Sequence, residues 1–417
     1  MKLFDTFSIL IVLSAALAYI NHRFIKLPST IGLMFLSLLL SIGLIIIGTV
    51  SPLFLGQATV ALANFDFTEL LMGSMLSFLL FAGAIHIKFS ELRKVLWSVT
   101  LYSTFGVVIA TFVIGGAMYY LLPLFQIQMP FLHCLLFGSL IAPTDPIGVL
   151  GVLKEAKVPK DLEMKIAGES LFNDGVGVVV FLTILEIAQK PVPPTFFEVS
   201  TLFVQEAIGG LAFGFVIGYA AYLLMRSIDN YAVEILITLA MVMGGYSLAH
   251  YLHVSGPLAM VVAGIIVGNQ GKKHAMSAIT EEYVDKFWEL IDEVLNALLF
   301  VIIGLELLVI KFTSSFIVIG LIAIFVVLLT RYISIFLPSQ IIRIKEDVDH
   351  STILMLVWGG LRGGISIALA LSLKPEFGKD LWVPLTYFVV SFSILVQGLT
   401  VGRLAKRLVA NVKATTI

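Results

Sequence analysis

Residues 137–181 read FGSLIAPTDPIGVLGVLKEAKVPKDLEMKIAGESLFNDGVGVVVF, two apolar stretches joined by a short charged loop. Each belongs to a segment, 131–153 and 166–187, long enough to cross a bilayer, which takes about 20 residues of helix. Set into them are Asp145, Glu169, Asn173 and Asp174. A carboxylate inside a membrane is costly unless it faces a cavity or a partner, so carboxylates at this depth point to function. Asp145 also lies between Pro143 and Pro146. Proline lacks a backbone donor and disfavours helix at the residue before it, so no continuous helix is expected across Ala142–Ile147. Broken backbone at membrane depth is tolerated where it is buried in protein or lines water, and transporters use such freed carbonyls and half-helix ends to hold small ions.

In the second stretch, Ser170 and Asp174 are four residues apart, and so are Glu169 and Asn173. Each pair shares a face of one helix, and the two faces are neighbours, about 100° apart. One face can offer oxygens to a hard cation. The other can hold an ion pair and a hydrogen bond that keep the site rigid.

The whole chain suits that setting. Of its 417 residues 59% are apolar and 13% charged, against about 45–50% and 25% in soluble proteins, and its mean hydropathy is +1.04. An all-α polytopic membrane protein is therefore expected. The net charge of −1 and the lack of a basic run argue against a nucleic-acid partner. One cysteine, Cys134, excludes an intrachain disulfide and a cysteine metal cluster; it reads as a small apolar residue inside a helix. The first apolar run has no basic start and no small-residue cleavage site, so it is expected to be a retained span.

Thirteen segments of suitable length can be marked, at 4–20, 31–50, 67–87, 95–122, 131–153, 166–187, 203–225, 232–249, 254–268, 290–310, 316–340, 351–373 and 382–402. The longest connection, Asn269 to Glu289, carries enough mixed charge for a short surface helix. Across alternate connections, nineteen lysines and arginines fall on the side that holds the C-terminal tail, and five (Lys2, Lys190, Lys311, Lys374, Lys379) on the other. Basic residues collect on the cytoplasmic side, which predicts an external N-terminus and a cytoplasmic C-terminus in a cell inner membrane. The two remaining arginines, Arg331 and Arg362, lie inside the eleventh and twelfth segments.

Arg362 sits in WGGLRGGIS, where Gly359, Gly360, Gly363 and Gly364 predict a second interruption of helix. The interruptions are seven segments apart, so they run in opposite directions, as in two inverted six-helix repeats whose discontinuous helices cross. One transmembrane domain over 1–417 is expected, with repeat-like halves at about 1–187 and 232–407 and no soluble regulatory domain. Trp97, Trp288, Trp358 and Trp382 fall near segment ends, where interfacial anchoring is sufficient reason for them. Gly210, Gly214 and Gly218 are spaced either for dimerisation or for close packing within one protomer. Glu306 is expected at the headgroups, near a helix end.

The residues also carry a resemblance. APTDP at 142–146, GESLFNDGV at 168–176, LNALLFVIIGLEL at 295–307 and GGLRGGIS at 359–366 resemble, in the same order, signatures of bacterial monovalent cation/proton antiporters of the NhaP and NHE group. The resemblance implies a thirteen-helix homodimer in lipid, with a six-helix core that moves in an elevator-like way against a dimerising scaffold. It implies sodium or lithium ions exchanged for protons in pH homeostasis, with potassium as the alternative cation and no cofactor beyond the transported ions. It implies a sodium site made by Asp145, Asp174, Ser170 and the backbone around Thr144, supported by Glu169, Asn173 and Arg331. The pair Asn173–Asp174 is the form associated with electroneutral exchange. Arg362 is expected to support the broken twelfth segment, and Glu169 to pair chiefly with Arg331.

Two other readings compete. An intramembrane aspartyl protease would need two aspartates sharing a proton, but Asp174 lacks the GxGD context, and two nearby arginines oppose a shared proton. A cation channel would need rings of carbonyls or charges around a pore, whereas one asymmetric site at a helix crossing suits alternating access. The protein is expected to be a transporter, with no catalytic residues.

Overall fold

The computed structural model describes residues 3–50, 71–190, 195–310, 314–346 and 348–415. Residues 67–70 of the third expected segment, together with Lys2 and Lys311, lie outside the described residues. The described part is built from helices: α1 Leu3–Ile20, α2 Ser29–Val50, α3 Leu76–Ile85, α4 Leu96–Leu121, α5 Phe131–Ile141, α6 Ile147–Glu155, α7 Lys160–Gln189 and α8 Phe196–Arg226. After these come α9 Tyr231–Tyr251, α10 Gly256–Ile266, α11 Ala278–Glu306, α12 Ser314–Ile342, α13 His350–Gly359, α14 Gly364–Ser372, α15 Lys379–Phe392 and α16 Gly398–Thr415. Among the described residues there is no strand, only an isolated antiparallel bridge between Asp145 and Leu361.

Eight of the thirteen expected segments are helices long and apolar enough to cross a membrane unaided. Each of the other five differs for a local reason. The fifth is split into α5 and α6 at the prolines, and the twelfth into α13 and α14 at the glycines. The third begins outside the described residues. The ninth holds only 11 residues of α-helix: α10 is capped by Ser255, which accepts the Leu258 N–H, and gives way at Val267–Gly271 to a π-helical turn carrying Asn269 and Gln270.

The tenth contains a correction. The segment from Ala278 to Glu289 is no separate surface helix but the first half of α11. The Ser277 hydroxyl caps the Thr280 N–H, no glycine or proline interrupts the chain before Gly304, and Val284 and Trp288 bury one face. The exposed face carries charge instead, including the Glu282–Lys286 ion pair one turn apart.

The helices pack as two groups. In one, α4 packs on α5, α7 and α12; α12 packs on α15, and α14 on α15 and α5. These are segments four to six with eleven to thirteen. In the other, α8 packs on α9 and α10, α10 on α3, and α11 on α2, α3 and α9. The glycine stripe of α8 serves this second group, because a Cβ at Gly210, Gly214 or Gly218 would meet the backbone of Ser255, Ala259 or Ala263. Small residues let two helices approach closely in lipid, and here both helices belong to the same protomer.

Two tryptophans depart from interfacial anchoring. Trp288 and Trp382 are fully buried. Trp288 donates to Thr238 Oγ1 at 3.1 Å and meets Phe81 edge-on. Trp382 donates to the Phe377 carbonyl and stacks on Phe137. A buried indole needs such a partner for its N–H, and in a bundle this wide a position near a segment end is not a position near lipid. Glu306 is also buried rather than at the headgroups.

Candidate ion-binding site

At each break the helical ladder stops, and every freed backbone group must find another partner, since an unpaired one is costly in a membrane. At the proline break, the Thr144 N–H donates to Asn173 Oδ1 at 3.1 Å and the Asp145 N–H to the Leu361 carbonyl at 2.8 Å. The Ala142 and Pro143 carbonyls, left free at the C-terminal end of α5, accept from one guanidinium nitrogen of Arg362, the latter at 2.9 Å. At the glycine break, the Leu361 N–H turns back to Gly359, and the Arg362 N–H donates to Ser393 Oγ at 2.9 Å. Arg331 donates to the Leu356 carbonyl in the last turn of α13 at 3.0 Å. Each break thus has a guanidinium at the negative end of its first half-helix, where a cation is favoured.

The same groups set the carboxylates. Glu169 takes two parallel bonds of 2.8 Å from Arg331, and both side chains are buried. This fork-on-fork geometry is the strongest form of the pair. Asn173, four residues on, donates from Nδ2 to Glu169 Oε1 and to Thr144 Oγ1, both at 2.8 Å, while its Oδ1 accepts from Thr144. Position 173 needs an amide here, because a carboxylate could not donate and would set a second negative charge against Glu169. Ser170 is buried behind Thr144, its hydroxyl 3.0 Å from Thr144 Oγ1.

Asp145 and Asp174 come together with Thr144 on the wall of a cavity of about 1030 Å³. Lys26, His86, Lys154 and Glu163 also line it, so it opens on the side rich in basic loops. Ser170 is not among its lining residues, and its hydroxyl meets Thr144 instead. Close approach of the chains is possible because Gly363 and Gly360 have no side chain: a Cβ would collide with the Asp145 carboxylate at the first and with the Arg331 guanidinium at the second.

Sequence reasoning missed Ser393 and Gln397. Ser393 Oγ accepts the Arg362 N–H and donates to Gln397 Oε1, whose amide reaches the Trp358 carbonyl. The only signal was two polar residues in an apolar segment, which α-helices often absorb without consequence. The geometry can hold a monovalent cation between ionised oxygens in contact with water, and it has an anion at hand that a proton can neutralise instead.

Comparison with known proteins agrees. Residues 11–407 match the family described as sodium/hydrogen exchanger, transmembrane. The chain is 50% identical to the Na(+)/H(+) antiporter NhaP of Pseudomonas aeruginosa, covering 98% of this chain and 97% of that one. It is 33% identical to the Na(+)/H(+) antiporter NhaH of Halobacillus dabanensis, covering 96% and 97%. The fold matches that of the sodium proton antiporter MjNhaP1 from Methanocaldococcus jannaschii with a TM-score of 0.79 over 98% of this chain and 99% of that one, at 20% identity. With its two breaks, its crossing and these relatives, the chain belongs to the sodium/hydrogen exchanger family.

Proposed function

We propose that this protein is a secondary transporter that exchanges sodium or lithium ions for protons, with Asp145 and Asp174 as the carboxylates that hold the cation. The observation that carries the reading is their joint position on one water-accessible cavity at the helix crossing, while the third carboxylate, Glu169, is neutralised by Arg331. Both relatives named above are sodium/proton antiporters, which supports it. Thr144 completes the oxygen set with Ser170 behind it, and Glu169, Asn173, Arg331 and Arg362 keep it in place.

The mechanism follows from charge. A cation a few ångströms away stabilises the ionised carboxylate, and protonation removes the attraction that held the cation. Asp174 therefore holds a proton or a cation, not both. Position 173 is an amide that does not titrate, so the exchange is one for one and electroneutral. An empty charged site is costly to move through lipid, so only the proton-loaded or cation-loaded core moves. The moving part is the group of segments four to six and eleven to thirteen, shifting against the rest in an elevator-like step. The cavity belongs to the inward-facing state, the C-terminus is cytoplasmic and the N-terminus external, in the inner membrane of a cell. The protein works as a homodimer in lipid.

The test uses purified protein in liposomes with a trapped pH indicator, to which sodium, lithium and potassium are added in turn. Sodium and lithium are expected to drive proton movement, potassium not, and an imposed membrane potential to leave the rate unchanged. Lowering the pH should raise the apparent KM for sodium more than it lowers the maximal rate. Cation movement without proton counter-movement would overturn the exchange reading, and acceleration by the potential would overturn electroneutrality.

A further inference from the structure

The cavity has a second polar wall that the exchange site does not use. Along α11, Asp285, Glu289, Asp292 and Asn296 are spaced four, three and four residues apart, so they form a stripe on one helical face. All four line the cavity that reaches Asp145 and Asp174. At the mouth, Asp285 is taken by Lys272 at 2.5 Å, with His86 at 3.8 Å. At the inner end, one turn beyond Asn296, Leu299 packs where a Cβ at Gly364 would stand, beside the glycine break. The stripe thus runs from the opening to the helix crossing.

Its inner pair is unusual. The Asn296 Nδ2 donates to the Asp292 carbonyl at 2.8 Å and to Asp292 Oδ1 at 3.0 Å. Both partners are acceptors, so the amide cannot be turned over, and its Oδ1 is the free end. That oxygen is buried without a hydrogen-bond partner, on a residue only 3% exposed. The buried Ser366 hydroxyl, on α14 and in the same cavity wall, also has none. Buried acceptors without partners are rare and costly. A carboxylate and an amide oxygen held one turn apart in a cavity wall are the hard donors that alkali cations take.

We propose that Asp292 and Asn296 form a second, shallower cation site in the cavity wall, where a sodium ion pauses between the mouth and Asp145–Asp174. The proposal rests on the exchange reading for its purpose, but not for its existence. Two protein oxygens with water completing the shell make a weak site. The nearby charges Glu289 and Glu293, which also line the cavity, raise the local cation concentration.

Binding of radioactive sodium to the purified full chain tests this directly. The Asp174→Asn variant should retain weak, saturable sodium binding, and the Asp174→Asn/Asp292→Asn double variant should lose it. In liposomes, Asp292→Asn should raise the sodium KM roughly fivefold, the factor contributed by one charge a few ångströms from an ion in a wet vestibule, and Asn296→Ala, which removes a neutral oxygen, should raise it less, both with the maximal rate held within about twofold. Asn296→Ser, which restores an oxygen, should fall between Asn296→Ala and the parent. Asp292→Asn is isosteric, so it provides a readout if Asn296→Ala does not fold. Unchanged KM values in Asp292→Asn, or sodium binding in Asp174→Asn that Asp292→Asn leaves intact, would overturn the proposal and leave the stripe as a wall for water alone. A parent protein that moves no protons would overturn the exchange reading, while the binding arm would still decide this one.

Discussion

The two breaks solve the same problem by opposite means. At Ala142–Pro146, prolines interrupt the helix by withholding donors, so the local excess is of carbonyl oxygen, and Arg362 must come from the other break to cover it. At Gly359–Gly364, glycines interrupt the helix by permitting approach, so what that break provides is room: for the Asp145 carboxylate beside Gly363 and the Arg331 guanidinium beside Gly360. The difference teaches a division of labour. An oxygen-rich break suits a cation, and a side-chain-free break suits the neighbour that must lie against it.

If chemistry resides at the proline break, Asp145→Asn and Asp174→Asn should each abolish proton-coupled sodium movement in liposomes while the proteins elute as the folded parent does; normal transport by either would erase the contrast. Next in size is the buried pair that braces both breaks. Glu169→Gln or Arg331→Met leaves an unpaired buried charge, which costs about 3–5 kcal/mol. Thermal unfolding should show large single losses and a double variant well short of their sum, whereas additive losses would separate the two residues. The glycine break should then be sensitive to bulk alone. Gly363→Ala places a methyl group against the Asp145 carboxylate, and the expected cost is roughly tenfold in maximal rate, since small misplacements of a reacting group are expensive, with little change in unfolding temperature. A normal rate would mean that Asp145 has slack. The smallest effect is expected for Ser393→Ala, which removes the acceptor of the Arg362 N–H and should lower stability by about 1 kcal/mol. No loss there would show that the glycine break finds another acceptor.

The breaks were legible from residue type, because Pro143, Pro146 and the four glycines act on the backbone whatever surrounds them. The charged network was legible for a related reason: Glu169, Asp174, Arg331 and Arg362 stand out in apolar segments, and lipid leaves them few partners but one another. The α11 stripe was hidden. Asp285 and Glu289 lie in a stretch whose charge looked like a solvated surface, and only packing against α2 and α3 turns that face toward the cavity. Trp288 and Trp382 misled in the same way, since a position along the chain says how deep a residue lies and not whether its side faces lipid or protein. The retreat of Ser170 behind Thr144 depends on how far apart α5 and α7 sit, which no spacing within either segment contains.

The bridge from the Asp145 N–H to the Leu361 carbonyl has a consequence for how the protein is made. The partners that satisfy the proline break, the Leu361 carbonyl and the Arg362 guanidinium, come from as far as 220 positions along the chain, which the ribosome has not yet supplied when that break reaches the bilayer. During synthesis, the first half must therefore wait with open backbone groups at membrane depth, in contact with water or with the insertion machinery. Neither half is a finished object. Split between α8 and α9 and made as two chains, the halves should assemble only when made together, and the first made alone should be degraded.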